Sequence, residues 1–246
     1  IPVAETQAGK SALAWDHPLN LGPIGVTGGE PANDVCEKAD LVLGVGTRFQ
    51  DFTTGSWGLF ANPQRKVISL NIAAYDAAKH GAMPLMADAK IGLAELGDAI
   101  DGYKIDESVA PLKADWFGKV DPLTDAPKDG IALPTDMQVV GAVQRSATEE
   151  TVAMCAAGAM PGELHKLWKA NKPGGYHMEY GFSCMGYEVA GAMGIKMAQP
   201  DRDVICFAGD GTYMMANSEM ATAAMLGISF TTVITDNRGY GCINRL

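Results

Sequence analysis

Short, continuous runs of apolar residues constrain the fold of this chain more than any other feature of its sequence. Leu41–Val45, Val67–Ile72 and Val204–Ala208 are such runs, and Gly46 closes the first of them. A short apolar run bounded by turn residues predicts a strand that is buried on both faces, as in a parallel sheet. Segments with helical periodicity separate the runs. The sequence therefore predicts an α/β fold with two domains, each built on a doubly wound parallel sheet.

The remaining predicted elements follow the same alternation. The other predicted strands are Pro2–Thr6, Pro84–Ala87, Thr151–Ala156 and Ile228–Thr235. The predicted helices are Pro31–Lys38, Ile91–Ile100, Asp136–Ser146, Gly162–Ala170, Met185–Met197 and Ser218–Leu226. The stretch from Gly9 to Gly29 is predicted to be rich in loops, because Gly and Pro interrupt it repeatedly.

The composition changes between residues 101 and 134, where Asp, Lys and Pro recur without a clear hydrophobic period. Such a segment is typical of a linker between two domains. We therefore predict a Rossmann-like domain at residues 1–105, a linker at 106–134 and a second α/β domain at 135–246.

The overall charge and the cysteines exclude several classes of function. The formal net charge is −10, which argues against nucleic acid as the main partner, since a phosphate-binding face normally carries a basic excess. The five cysteines contain no C-x-x-C pair, so neither a disulfide framework nor a zinc site is expected, and a cytoplasmic setting is favoured. No apolar run approaches the roughly 20 residues that span a bilayer, so no membrane partner is expected.

Two polar residues follow neighbouring predicted strands at the points where these strands end. Asp210 follows Val204–Ala208 and Asn237 follows Ile228–Thr235. A helix connects these strands, so they are expected to run parallel and to present both side chains at the carboxyl edge of the sheet. Neighbouring strands lie about 4.8 Å apart and Mg²⁺–oxygen bonds are about 2.1 Å long, so one cation could bridge both groups. Either turn alone would more often be an ordinary turn.

The spacing of these residues resembles the fingerprint of thiamine diphosphate-dependent enzymes, which begins with Gly-Asp-Gly and ends with Asn. Here Gly209-Asp210-Gly211 is followed by Asn237 after 25 intervening residues. The resemblance implies thiamine diphosphate and Mg²⁺ as cofactors, with the metal held by Asp210, the Asn237 side chain and the Gly239 carbonyl. It also implies that Gly209, Gly211 and Thr212 bind the cofactor, the last two through backbone or hydroxyl donors to the diphosphate.

A second segment, Gly181–Gly186, resembles the part of acetohydroxyacid synthases and their relatives that supports the bent form of the cofactor. The resemblance places Met185 beneath the bent cofactor and puts Ser183 and Cys184 in the same cofactor-binding segment. An ordinary core methionine is the alternative for Met185, and Cys184 is expected to be a small apolar filler. His165 is expected to be structural.

The first domain also resembles the central domain of this family. The matching segments are Pro2-Val3, Gly9-Lys10, His17–Leu19, Ala39–Leu43 and Val67–Ile72. Some relatives bind FAD or ADP in this domain, but an architectural role is expected here. The second domain would then be the diphosphate- and Mg-binding domain, truncated at its C-terminus.

Ala156–Trp168 and Tyr176–Tyr187 resemble the trihydroxycyclohexane-1,2-dione hydrolases of myo-inositol catabolism. The implied reaction is hydrolytic C–C bond cleavage of a cyclic 1,2-diketone, with the cofactor as electron sink. His177 and Glu179 could handle protons or hydroxyl groups there, or belong to an ordinary surface loop. Two alternatives remain, an acetohydroxyacid synthase-like decarboxylase or carboligase acting on a 2-oxo acid, and a non-catalytic nucleotide-binding module.

The chain begins as a strand already under way and stops after a Gly-rich turn, so it is expected to be a piece of a longer polypeptide. The family resemblance implies that the activating glutamate lies on an N-terminal domain of a neighbouring subunit, in a homodimer or homotetramer with shared active sites. The catalytic residues therefore remain unknown, and the isolated chain is expected to bind cofactor weakly and not to turn over a small-molecule substrate.

Overall fold

The computed structural model describes residues 1–104, 109–127 and 133–243. The first part contains a two-stranded sheet and a three-stranded sheet. The strands are β1 (Val3–Glu5), β2 (Asn20–Pro23), β3 (Leu41–Val45), β4 (Lys66–Asn71) and β5 (Met83–Met86). The helices are α1 (Glu30–Lys38), α2 (Asp51–Thr54), α3 (Ala74–Ala77) and α4 (Ala89–Ala99), with 3-10 turns at Gly58–Phe60 and Lys79–Gly81. β1 pairs with β2, and β4 lies between β3 and β5.

The second part contains a four-stranded sheet with helices packed against it. Its strands are β6 (Thr151–Cys155), β7 (Tyr176–Met178), β8 (Asp203–Gly209) and β9 (Thr231–Thr235), in the spatial order β7–β6–β8–β9. Its helices are α6 (Asp136–Ser146), α7 (Met160–Leu167), α8 (Tyr187–Ala198), α9 (Asp210–Ala216) and α10 (Glu219–Met225). Every strand pair among the described residues is parallel, which confirms the predicted α/β class with parallel sheets.

The predicted linker contains helix α5 (Ala110–Val120), which is followed by a 3-10 turn at Asp121–Thr124. Pro111 lies in the first turn of the helix, where a missing backbone N–H is not needed. Val109 is buried in the core of the first part, whereas Val120 is buried in the core of the second part. The segment therefore packs against both cores. The described ranges omit 105–108 and 128–132, so the predicted domain boundary at 105/106 lies outside the described residues.

Strand β6 is the centre of the second core. All five of its residues are buried, and Met154 and Cys155 have no measurable exposure. Phe207 of β8 and Trp168, which follows α7, pack edge to face with ring centroids 5.9 Å apart. Thr135 caps α6, because its hydroxyl accepts from the Gln138 amide while the Gln138 side chain accepts from Thr135 N–H. This reciprocal cap fixes where the second part begins.

The prediction that β3 is buried on both faces is wrong for the described structure. Leu41, Leu43 and Val45 are exposed along one face of β3, whereas Gly44 on the other face is buried beneath Phe49. On the covered side of this sheet, Gly92 of α4 packs closely against Leu70 of β4. The sequence analysis also missed β2, β7 and α9. β2 lies within the segment that was predicted to be loop-rich.

Candidate functional site

The carboxyl ends of β8 and β9 lie side by side. The two strands are parallel neighbours, and Gly209 at the end of β8 is paired with Thr235 at the end of β9. Asp210 and Asn237 therefore leave the sheet at the same edge, on adjacent strands. The strand arrangement that was predicted for these two residues is confirmed.

The carboxylate of Asp210 holds the turn that follows β9. Its Oδ2 accepts a hydrogen bond of 2.7 Å from the Gly239 amide, and its Oδ1 accepts one of 3.4 Å from the Asn237 amide. Oδ1 of Asn237 in turn accepts from the Gly241 amide at 3.3 Å. Asp210 is also the first residue of α9, and an acidic group is favoured at a helix start. The structure thus brings Asp210, Asn237 and Gly239 together.

Gly211 lies directly against the same turn. A Cβ at this position would lie 2.7 Å from the Tyr240 ring and 3.1 Å from the carbonyl oxygen of Gly239. The Gly239 carbonyl therefore faces the first turn of α9, and only glycine leaves room for it. Gly209 caps α9 in an extended conformation, and a Cβ there would meet the Thr212 side chain at 4.0 Å, an ordinary contact distance.

Thr212 points inward. Its residue is buried, and its hydroxyl donates to Oε2 of Glu188 at 2.9 Å and accepts from the Gly186 amide at 2.8 Å. The hydroxyl proton of Thr212 is thus used in a hydrogen bond to a buried side chain and does not point to the surface. Of the two donors that the sequence analysis offered for Thr212, the backbone N–H is the one that this geometry leaves for a ligand.

Ser183, Cys184 and Met185 lie in an exposed loop between β7 and α8. The carboxylate of Glu179 shapes this loop, because it accepts from the Cys184 amide at 2.6 Å and the Phe182 amide at 3.0 Å. These hydrogen bonds lower the pKa of Glu179. Ser183 adopts a left-handed conformation with φ of 52°. Because Cys184 is exposed, the interpretation of its side chain as a small apolar filler of the core is wrong.

The two histidines of this part have different surroundings. His165 is fully buried, with Nδ1 3.0 Å from the Thr27 hydroxyl and Nε2 3.2 Å from the Glu5 carbonyl oxygen, so its expected structural role is confirmed. His177 is half-buried, and its Nε2 lies 3.2 Å from the hydroxyl of Tyr187. Burial lowers the pKa of His177. His177 thus lies within β7, and Glu179 directly follows this strand.

Comparison with known families identifies both parts of the chain. Residues 156–246 match the C-terminal TPP-binding domain of thiamine pyrophosphate enzymes, and residues 1–96 match the central domain of the same enzymes. The chain belongs to the thiamine pyrophosphate enzymes. This confirms the family that the Gly209–Asn237 segment and the first domain suggested. The match to the TPP-binding domain begins at Ala156, directly after β6.

Individual proteins can be aligned with the whole of this chain. The chain is 38% identical over 272 residues to a protein of Clostridium tetani and 40% identical over 272 residues to one of Bacillus cereus. A protein of Geobacillus thermodenitrificans is 38% identical over 269 residues. All three are named 3D-(3,5/4)-trihydroxycyclohexane-1,2-dione hydrolase. The alignments cover 100% of this chain and 42% of each relative, so the chain spans less than half of their length.

The donors at the β8–β9 edge suit the metal that accompanies a diphosphate. They comprise one carboxylate, one amide oxygen and one carbonyl oxygen, all of them hard ligands. Among the residues that the structure describes, no group of three or more His, Cys, Asp and Glu side chains could hold a metal ion. A cation at this edge would therefore take its remaining ligands from a phosphate or from water, as Mg²⁺ commonly does.

Glu188 also belongs to this region, although its role was not predicted from the sequence. Its side chain is 1% exposed and bonds to three segments at the carboxyl edge of the sheet. A signal was present in the sequence, since Glu188 stands among small and apolar residues of the predicted Met185–Met197 helix. An acidic residue in such a helix indicates either a solvent-facing position or a buried, hydrogen-bonded one.

In the described part of the chain, no helix has both the length and the apolar character that crossing a membrane requires.

Proposed function

We propose that this chain supplies the central and cofactor-binding parts of an enzyme that uses thiamine diphosphate and Mg²⁺ to cleave a C–C bond of a cyclic 1,2-diketone by hydrolysis. The observation that carries the proposal is the contact between Asp210 and the turn containing Asn237 and Gly239, at adjacent strand ends. The names of the relatives in Clostridium tetani and Bacillus cereus support trihydroxycyclohexane-1,2-dione as the substrate, and with it a role in inositol catabolism.

Different residues of the site would bind the metal ion and the diphosphate. Asp210, Asn237 and the Gly239 carbonyl would hold Mg²⁺, and the backbone N–H groups of Gly211 and Thr212 would donate to the diphosphate. When bound, thiamine diphosphate supplies a carbon nucleophile and an electron sink. Gly209 would let the chain turn beside the diphosphate. Together these groups hold the cofactor at the sheet edge where open α/β folds bind ligands.

The loop after β7 would contact the reactive end of the cofactor. Met185 would support its bent form, and Ser183 and Cys184 would line the same side. Glu179 fixes this loop through two backbone amides. Burial lowers the pKa of the half-buried His177 ring, which favours the neutral ring, and a neutral ring nitrogen would be able to accept a proton from a substrate hydroxyl.

We also infer that a second subunit completes the site. Phe182 is 91% exposed, and Met185, Tyr240 and Ile243 are also exposed in the segments that follow β7 and β9. Large apolar side chains that remain exposed in this way are typical of interaction surfaces. A homodimer or homotetramer with shared active sites would cover them and would supply the activating glutamate from an N-terminal domain.

Calorimetric titration of the full-length protein with thiamine diphosphate tests the cofactor assignment. With Mg²⁺ present, Asp210→Asn is expected to weaken binding at least tenfold, about 1.4 kcal/mol, because it removes the charge from the one carboxylate among the three proposed protein ligands. Asp203→Asn is the matched control, since Asp203 is exposed at the opposite end of the same strand. Equal affinities of Asp210→Asn and wild type would contradict the proposed metal site.

Assays of the full-length protein with the cyclic dione and with pyruvate test the reaction. Hydrolytic ring opening of the dione is expected, with no turnover of pyruvate. Turnover of pyruvate alone would replace the proposal with an acetohydroxyacid synthase-like decarboxylase or carboligase. Binding of FAD or NAD without thiamine diphosphate would instead indicate a nucleotide-binding module.

A further inference from the structure

Glu188 is a buried carboxylate in the first turn of α8. Its side chain is 1% exposed, and among the described residues it takes part in no ion pair. Burying a carboxylate without a cation is unfavourable unless hydrogen bonds replace the lost water. The first turn of a 12-residue helix offers some compensation through its dipole. The position of the group therefore depends on the donors around it.

Three donors from three different segments surround the carboxylate. Oε1 accepts from the Ala157 amide at 3.2 Å, and Oε2 accepts from the Gly186 amide at 3.0 Å and the Thr212 hydroxyl at 2.9 Å. The Gly186 amide is shared, because it also donates to the Thr212 hydroxyl oxygen at 2.8 Å. Glu188, Gly186 and Thr212 thus form a closed set of hydrogen bonds, to which Ala157 is attached through the second carboxylate oxygen.

These segments meet where the order of the sheet reverses. The chain passes from β6 to β7 on one side and then returns through α8 to β8 on the other side of β6. Ala157 lies two positions after the end of β6, and Thr212 lies three positions after the end of β8. A crevice at the carboxyl ends of two such strands is where open α/β sheets bind ligands. The Glu188 carboxylate links the segments that follow these two strands.

We propose that Glu188 is a positioning residue for thiamine diphosphate. It fixes the turn after Met185 relative to the Asp210–Thr212 turn and to the loop after β6. These turns contact opposite ends of the cofactor under the proposed function, on which this inference rests. Gly186 is left-handed, with φ of 89°, and lies close to Ala216 of α9, so a shift of the Glu188 carboxylate would change the position of the Met185 loop relative to α9. Binding energy would then be lost in restoring their spacing.

Hydrogen exchange of the cofactor-free, full-length protein tests the structural half of the inference. In Glu188→Gln one of the two side-chain oxygens becomes an NH₂ group, which cannot accept from a backbone amide, whereas Ala157 and Gly186 donate to different oxygens. Amide exchange is expected to be at least tenfold faster at the one of these two amides that faces the NH₂ group, and unchanged in β6. Glu150→Gln is the matched control, because Glu150 lies on the surface just before β6, at the opposite edge. Unchanged exchange at both amides would overturn the inference.

Titration with thiamine diphosphate at saturating Mg²⁺ tests the functional half. Glu188→Gln is expected to raise the Kd about tenfold and Glu150→Gln to leave it unchanged. A residue with a merely structural role would lower the melting temperature without changing the Kd of the folded protein, and that result would overturn the inference. Failure of the wild-type protein to bind thiamine diphosphate would instead overturn the proposed function, while the exchange measurement still reports on what Glu188 holds.

Variants of Thr212 keep the inference testable if Glu188→Gln does not fold. Thr212→Val removes the hydroxyl at nearly constant shape and is expected to raise the Kd about tenfold, whereas Thr212→Ser restores the hydroxyl and is expected to bind as wild type does. Where both single variants fold, combining Glu188→Gln with Thr212→Val should raise the Kd by less than the product of the two effects, because both break the same set of bonds. If the increase in Kd of the double variant equals the product of the two single increases, the inference that Glu188 and Thr212 act through the same hydrogen bonds is overturned.

Discussion

At the scale of single residues, the proposed metal site depends on Gly211, because a larger residue would not fit at this position. A Cβ on Gly211 would lie 2.7 Å from the Tyr240 ring and 3.1 Å from the Gly239 carbonyl oxygen. Contacts this short are not tolerated, so either the ring or the turn must move. We therefore predict that Gly211→Ala displaces the Gly239 carbonyl and weakens Mg²⁺-dependent binding of thiamine diphosphate roughly tenfold, about 1.4 kcal/mol, as measured by calorimetry.

Gly194→Ala is the matched control for this prediction. Gly194 lies within α8, and a Cβ there would meet no atom within 4 Å. Replacing an unconstrained helical glycine by alanine stabilises a protein by about 0.5–1 kcal/mol, so Gly194→Ala should melt slightly higher and bind cofactor as wild type does. Wild-type affinity in Gly211→Ala would show that the Tyr240 ring yields and the carbonyl does not.

The positions of Asp210 and Asn237 could be predicted from the sequence, whereas the orientation of the Thr212 side chain could not. The strand-end placement of Asp210 and Asn237 follows from element order alone, because parallel neighbours end at one edge of the sheet. The inward rotation of the Thr212 hydroxyl could not be predicted, since it depends on Glu188, a residue 24 positions away. Contacts between distant segments arise from packing and leave no local pattern.

At the scale of elements, α5 joins the two cores. Val109 and Val120, at the two ends of this helical segment, are buried in different clusters, and Trp116 and Phe117 pack against the second of them. Nζ of Lys113 donates to the Trp15 carbonyl oxygen at 2.6 Å. The repeated prolines of residues 101–134 led to the prediction of a linker instead of a helix. Pro111 and Pro122, however, lie in the first turns of α5 and of the following 3-10 turn, where proline is compatible with helical structure.

We predict that Val120→Ala destabilises the protein by about 2 kcal/mol, because it removes buried methyl groups and leaves a small cavity. Urea unfolding followed by circular dichroism measures this change. Leu112→Ala is the matched control on the same helix, since Leu112 is 40% exposed whereas Val120 is 6% exposed, and its effect should stay within about 0.5 kcal/mol. Equal effects of both substitutions would mean that the residue 101–134 segment behaves as a loose linker.

The three-stranded sheet shows the limit of sequence patterns at this scale. The apolar runs located β3 and β4 correctly, since a continuous apolar run is sufficient to indicate a strand. They predicted that both faces would be covered, which is wrong for β3. The faces of β3 differ because Phe49 and Gly44 meet on one side while Leu41 and Leu43 remain exposed on the other, and that difference depends on helices elsewhere in the chain.

At the scale of the whole molecule, a buried polar network joins the beginning of the chain to α7 and β7. The side-chain amide of Gln7 donates to the Thr27 hydroxyl and to the Pro161 carbonyl oxygen, each at 3.1 Å, and the Tyr176 hydroxyl donates to Gln7 at 3.0 Å. Thr27 also contacts His165. The network lies between the two cores, so the two parts are held together by directional bonds as well as by apolar packing.

The titration of His165 therefore couples pH to the stability of the whole molecule. The pKa of His165 is lowered from 6.5 to about 3, chiefly by burial and also by the neighbouring charge of Lys10, against hydrogen bonds that involve Glu5, Thr27 and Thr6. Between these pH values the unfolded chain binds more protons than the folded one. The stability that neutral His165 contributes is thus complete above pH 6.5 and is lost as the pH falls toward 3.

We predict that the free energy of unfolding falls by up to about 1.4 kcal/mol per pH unit between pH 6 and 4 on account of this residue. Urea unfolding at a series of pH values measures the slope. His165→Gln removes the titrating ring, so its stability should depend less on pH than that of wild type, by about one proton in this range. His17→Gln is the matched control, because His17 is exposed and its replacement should leave the slope unchanged. The same slope in wild type and His165→Gln would mean that the network opens before His165 is protonated, and the two parts of the chain would then separate by a route that does not involve this histidine.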